Sequence, residues 1–167
     1  MINTIQDFDR EWGYERQATL KLMRSLTDAS LSQGVAHDHR TLGRLAWHIT
    51  TSVREMMERV GFQLRGPGPE DPVPASAGTI ADAYEQVSAS VQEAVKRDWT
   101  DATLAAEDEM YGEKWSRGFT LEVLLNHQIH HRGQMTVLMR QAGLPVFGAY
   151  GPALEEWATI GMEPPEV

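Results

Sequence analysis

Asn126-His127-Gln128-Ile129-His130-His131-Arg132-Gly133-Gln134 lies inside a segment that reads as one amphipathic helix, from about Thr120 to Gln141. Thr120 is the N-cap candidate, Gly143 stands just past the end, and Pro145 stops any continuation. His127 and His131 are four residues apart, which puts both rings on one helix face, about 40° apart in projection. Val123, Gln134 and Leu138 share that stripe, and Arg132 points well away from it. Two imidazoles on one face form half of a divalent-metal site. His127 with His130 is the second geometric option.

Three further segments repeat apolar residues at intervals of three and four. The first runs from about Thr4 to Leu26, on Ile5, Phe8, Trp12, Leu22, Met23 and Leu26, with Glu15 and Thr19 as polar interruptions. The second runs from about Thr41 to Phe62, on Leu45, His48, Ile49, Val53, Met56, Met57 and Val60. The third runs from about Thr79 to Trp99, on Ile80, Ala83, Tyr84, Val87, Val91, Ala94 and Val95, with Asp82 suited to its first turn.

Between the second and third, Gly66-Pro67-Gly68-Pro69-Glu70-Asp71-Pro72-Val73-Pro74 excludes both helix and central strand. It is long enough to carry the chain across one end of a helix bundle. Residues 101–118 read as a loop with a short extended piece near Met110, and Tyr150 to Trp157 as one short closing helix. The fold class expected is all-α: a single domain over residues 1–167, a four-helix bundle with a long crossover connection and a short C-terminal helix.

Composition narrows the function classes. The 167 residues carry 15 basic and 24 acidic side chains, a net charge of −9. That balance argues against a nucleic-acid backbone reader and against an anionic membrane surface. There is no cysteine, so disulfides, thiolate metal sites and a cysteine nucleophile are excluded. No window approaches the ~18 apolar residues of a membrane span, and charged residues interrupt every early apolar run, so a cytoplasmic location is expected.

His48, within Leu45-Ala46-Trp47-His48-Ile49-Thr50, is on the inner side of the second helix and needs a polar partner there. Sharing a metal with His127 and His131 supplies one. Three histidines suit zinc or nickel and leave a position open, the mark of a catalytic site. The competing reading is a core histidine with a satisfied hydrogen bond among surface polar groups. His37 and His39, in the connector, are surface residues or reserve ligands. Gln134 either orients a ligand or makes a structural hydrogen bond. His130 either bonds a loop carbonyl or lines the pocket, and Arg132 is expected in an ion pair with the tail or a neighbouring helix. Tyr111, Glu113 and Trp115 reach the metal only if their loop folds back. Trp12, Trp47, Trp99 and Trp157 read as core or interface residues, and Tyr150 packs the tail over the helices.

The stretches Leu45-Ala46-Trp47-His48-Ile49, His127 to Met135, Arg140-Gln141-Ala142-Gly143-Leu144 and Tyr150-Gly151-Pro152 together resemble the DinB (damage-inducible) family of the DinB/YfiT-like metalloenzyme superfamily, which is unrelated to the DNA polymerase of that name. The resemblance covers essentially the whole chain in order. It implies a four-helix bundle, a metal triad of His48, His127 and His131, bound zinc or nickel, and a homodimer. It further implies a low-molecular-weight thiol as co-substrate, transferred to an electrophilic small molecule. A hydrolase acting through activated water on the same site is the alternative. A non-catalytic metal-binding or interaction bundle is the third reading.

Overall fold

The computed structural model describes residues 2–166. It is mostly helical with one small two-stranded sheet. Four long helices dominate: α1 (Ile5–Met23), α2 (Leu42–Arg59), α3 (Ala77–Asp98) and α4 (Arg117–Gln141). Short 3-10 turns cover Asp28–Ser32, Asp101–Ala105 and Leu154–Ile160. The last is the short closing helix expected over Tyr150 to Trp157, which starts later, at Leu154.

Each long helix begins at a side-chain cap that satisfies one otherwise free backbone N–H. Thr4 accepts from Asp7, Thr41 from Arg44, Ser76 from Thr79 and Ser116 from Phe119. The caps correct two expected boundaries. Helix α4 starts one turn before Thr120, whose buried hydroxyl instead bonds back to the Ser116 carbonyl. Helix α3 starts ahead of Thr79, so Asp82 lies beyond the first turn and pairs with Arg24, at the end of α1, instead.

Packing follows from two apolar clusters at opposite ends. One joins Phe8 and Trp12 of α1 to Val53–Val60 of α2, Val87–Val95 of α3 and Leu121–Leu125 of α4. The other joins Leu22 and Met23 to Leu42–Ile49, Ala77–Tyr84 and Met135–Met139. Helices α1 and α4 therefore run one way, and α2 and α3 run the other. Two parallel neighbours in sequence need a connection along their length. Residues 60–76 provide it. Arg54 bonds the Gly66 carbonyl, Trp47 donates to the Asp71 carbonyl at 2.9 Å, and Asp28 accepts from the Ala77 N–H. The Gly/Pro segment thus straps lengthwise and does not cross one end. Gly66 has φ 133°, and a Cβ there would lie 2.9 Å from that of Val87, so the strap touches α3 where only glycine fits.

The segment before α4, expected as a loop with a short extended piece near Met110, has that piece as one strand of an antiparallel hairpin, β1 (Glu107–Met110) with β2 (Glu113–Ser116). Its turn is Tyr111-Gly112, with φ 55° and 86°. Two positive φ values match the tight hairpin turn whose twist suits paired strands. A tyrosine in the first position gives no sequence signal for it. Tyr111 is held by α2: its hydroxyl donates to Glu55 at 2.7 Å and its ring lies under Arg59.

The expected ion pair of Arg132 is made, and it is buried. Arg132 pairs with Glu15 of α1 at 2.5 Å, with side-chain exposures of 4% and 6%. It also donates to the Thr19 hydroxyl and the Glu15 carbonyl. Tyr150 closes the site by bonding the second Glu15 oxygen and packing on Tyr14. Trp12, Trp47 and Trp99 are buried as expected, whereas Trp157 is only partly covered. Removing one member of a buried pair strands the other charge. Arg132→Ala is expected to cost about 3–5 kcal/mol in urea unfolding. The double change Glu15→Gln/Arg132→Met should recover part of that loss.

Candidate metal centre

His48 sits on α2, and His127 and His131 sit on α4, which runs antiparallel to it. The register brings one donor nitrogen from each ring within 4.8 Å of the others. The rings meet edge to face, with centroids 5.0 Å apart for His48–His127, 4.6 Å for His48–His131 and 4.4 Å for His127–His131. His48 Nε2 and His131 Nε2 are 3.2 Å apart. Two nitrogens on a tetrahedral zinc at ~2.0–2.1 Å stand about 3.3–3.4 Å apart. The spacing and the all-imidazole donor set fit a divalent cation.

Neighbouring groups orient the rings. Ser52 Oγ donates to the Ile49 carbonyl at 3.1 Å, so its lone pair faces His127 Nδ1 at 3.4 Å. That arrangement favours a proton on Nδ1 and leaves Nε2 free as a donor. Gln134 Oε1 accepts from His131 Nδ1 at 2.7 Å, with the same consequence. Partners of this kind fix tautomer and ring direction in metal sites. Gln128, fully buried, donates to the Ile49 carbonyl from the opposite helix at 3.2 Å. Ser52 and Gln128 carry no motif that marks them in the sequence.

The electrostatics keep the triad neutral. Burial lowers the pKa of His48 to about 3, helped by the charge of Arg40 and by the other two rings. Burial also lowers His127 to about 4, with His131, His130 and Arg40 adding to the effect and Glu55 opposing it. His131 is lowered by burial, against the hydrogen bond it donates to Gln134. A metal ligand must be the neutral imidazole.

The remaining candidates fall outside the triad. His130 is exposed; its Nε2 lies 3.2 Å from Gln134 Nε2 and its ring packs on His131, and among the described residues it bonds no loop carbonyl. His37 is exposed and paired with Asp38. His39 lines a cavity of about 320 Å³ that opens beside His131 and Gln134, above Leu45 and Leu138. Tyr111, Trp115 and Phe119 form an aromatic cluster by the hairpin, and Glu113 bonds the Trp115 indole.

Comparison with known proteins gives the family. The family model described as "DinB family" matches residues 1–166. The chain belongs to the DinB family. It is 46% identical over its whole length, and that of the relative, to "Uncharacterized protein YrdA" of Bacillus subtilis strain 168. A crystal structure of a DinB-like protein from Bacillus cereus ATCC 10987 is 47% identical, covering 90% of this chain and 100% of that one at a TM-score of 0.87. A second DinB-like structure, YjoA from Bacillus subtilis, shares the fold at 21% identity and a TM-score of 0.65, covering 82% of this chain and 92% of that one.

Two outcomes follow from this DinB-family geometry. Gln134→Ala should weaken zinc or nickel binding about 10–100-fold in a competition titration, without moving the metal-free unfolding midpoint much. The lowered pKa values also set a pH dependence. The unfolded chain takes up protons on these histidines near pH 6.5 while the folded one does not. Metal-free stability is therefore full above about pH 6.5 and falls as pH drops toward the folded values. Urea midpoints at pH 7.5 and 5.5 should show that drop, and His48→Gln/His127→Gln/His131→Gln should shrink it.

Proposed function

We propose that the four long helices act as a four-helix bundle with a long crossover connection, built to hold one zinc or nickel ion on His48, His127 and His131. The protein is then a metal-dependent enzyme that transfers a low-molecular-weight thiol to an electrophilic small molecule. The observation that carries this reading is the triad itself: three neutral imidazoles converge beside a cavity that reaches His131. Three protein ligands leave room for an exogenous one, as in catalytic centres.

A bound divalent ion supplies the charge that holds a thiol ionised at neutral pH. The chain supplies the rest. Gln134 and Ser52 hold two of the rings in the tautomer that presents Nε2. Leu45 and Leu138 give the cavity an apolar floor that keeps water off the sulfur. In the reaction the thiol proton leaves to solvent at the open rim. The sulfur lone pair forms a bond to the electrophilic carbon, and the leaving group departs with the bonding electrons. The chain has no cysteine to compete as nucleophile. The same proposal includes a homodimer and a cytoplasmic location. Among the described residues no helix is long and apolar enough to cross a membrane.

The test is turnover of an aryl halide by zinc- or nickel-loaded protein, with and without a small thiol. The expected result is loss of thiol and release of halide in equal amounts, abolished in His127→Ala, which should stay helical by circular dichroism. Halide release that ignores the thiol would instead identify a hydrolase. No turnover by fully loaded protein, together with unfolding on metal removal, would identify a structural site.

A further inference from the structure

The charges around the triad do not balance. Three neutral imidazoles bring no negative charge to a dication. Arg40 and Arg44 add two positive charges that act directly on His48. Among the described residues neither guanidinium has a carboxylate partner, although most of the chain's other cations do. In a chain with 24 acidic and 15 basic side chains, unpaired arginines are not forced by composition. Glu55, the acid that acts on His127, is already held by Arg59 and by the Tyr111 hydroxyl.

Arg40 lies on the wall of the cavity that contains His131. The same wall carries Val35 and Val137, which are 57% and 53% exposed, above the buried Leu45 and Leu138. A cavity of about 320 Å³ suits a compact molecule. Its surface is apolar on the sides, cationic at Arg40 and bordered by the triad at His131.

We propose that this cavity binds a compact organic carboxylate whose apolar body packs on Val35, Val137 and Leu138 and whose anionic group is held by Arg40. The apolar walls favour an organic acid over inorganic phosphate, which would leave them wet. The inference rests on the triad as the metal centre for its place in the reaction: the acid group anchors one reactant while its other end reaches the ion. Its binding step is testable without the metal.

The probes are 3-phenylpropionate and its neutral counterpart 3-phenylpropanol, with inorganic phosphate as the third arm. Each is titrated by calorimetry into metal-free and zinc-loaded protein at low salt, where exposed charges are least screened. In metal-free protein the acid should bind about tenfold more tightly than the alcohol, the value of one charged hydrogen bond. Arg40→Gln should remove that preference, with circular dichroism and the zinc content of the loaded protein unchanged. Equal affinity for acid and alcohol, or a preference that survives Arg40→Gln, would overturn the proposal. Phosphate binding as tightly as the acid would also overturn it, by showing a bare anion site. If wild-type protein takes up no zinc, the triad reading fails, while the metal-free titration still decides the carboxylate site.

Discussion

The centre depends on the register between α2 and α4, and one buried hydrogen bond marks that register. Gln128 of α4 is fully buried and donates across the interface to the Ile49 carbonyl of α2. Its neighbour in sequence is His127, and the neighbour of Ile49 is His48. A slide of one helical turn is about 5.4 Å, larger than the 4.8 Å within which the three donors now lie. A slide of that size breaks the bond and parts the triad together. A lost partner for a buried amide costs about 1–3 kcal/mol, so the penalty for slipping is steep. Ser52 uses the same Ile49 carbonyl and passes the constraint on to the His127 ring.

The two apolar clusters and the buried Arg132–Glu15 pair secure α4 on its other sides. Helix α4 is unusual in facing three kinds of surroundings. One stripe carries the histidines, a second carries Leu121, Leu124, Met135 and Met139 into the core, and a third sends Arg132 to α1. Tyr150 from the tail covers that pair, so the C-terminal segment belongs to the scaffold of the centre, although it lies on the far side of α4. The lengthwise strap of residues 60–76 plays a comparable part. It lets α2 and α3 run parallel, which leaves α2 free to face the antiparallel α4.

Much of this is legible in the chain itself. Helices α1 to α3 have long apolar repeats at three and four, and their interiors are where those repeats put them. His48, His127 and His131 are legible because an i, i+4 pair and an inward histidine each need a partner. The hairpin is not. Glu107-Asp108-Glu109-Met110 has no alternation, because only Met110 is buried, and its turn places a tyrosine where glycine or asparagine is usual. The start of α4 is obscured because Thr120 competes with Ser116 as a cap, and only tertiary contacts show that Thr120 is inside. Ser52 and Gln128 are invisible because an isolated polar residue on a helix takes its meaning from the facing helix.

The most direct test of the central claim is anomalous diffraction at the zinc or nickel absorption edge, on crystals grown with one equivalent of that ion. The account predicts a single strong peak about 2.0–2.1 Å from a nitrogen of each of His48, His127 and His131. A peak elsewhere on the chain, or no peak while His48 and His131 keep their 3.2 Å contact, would contradict it.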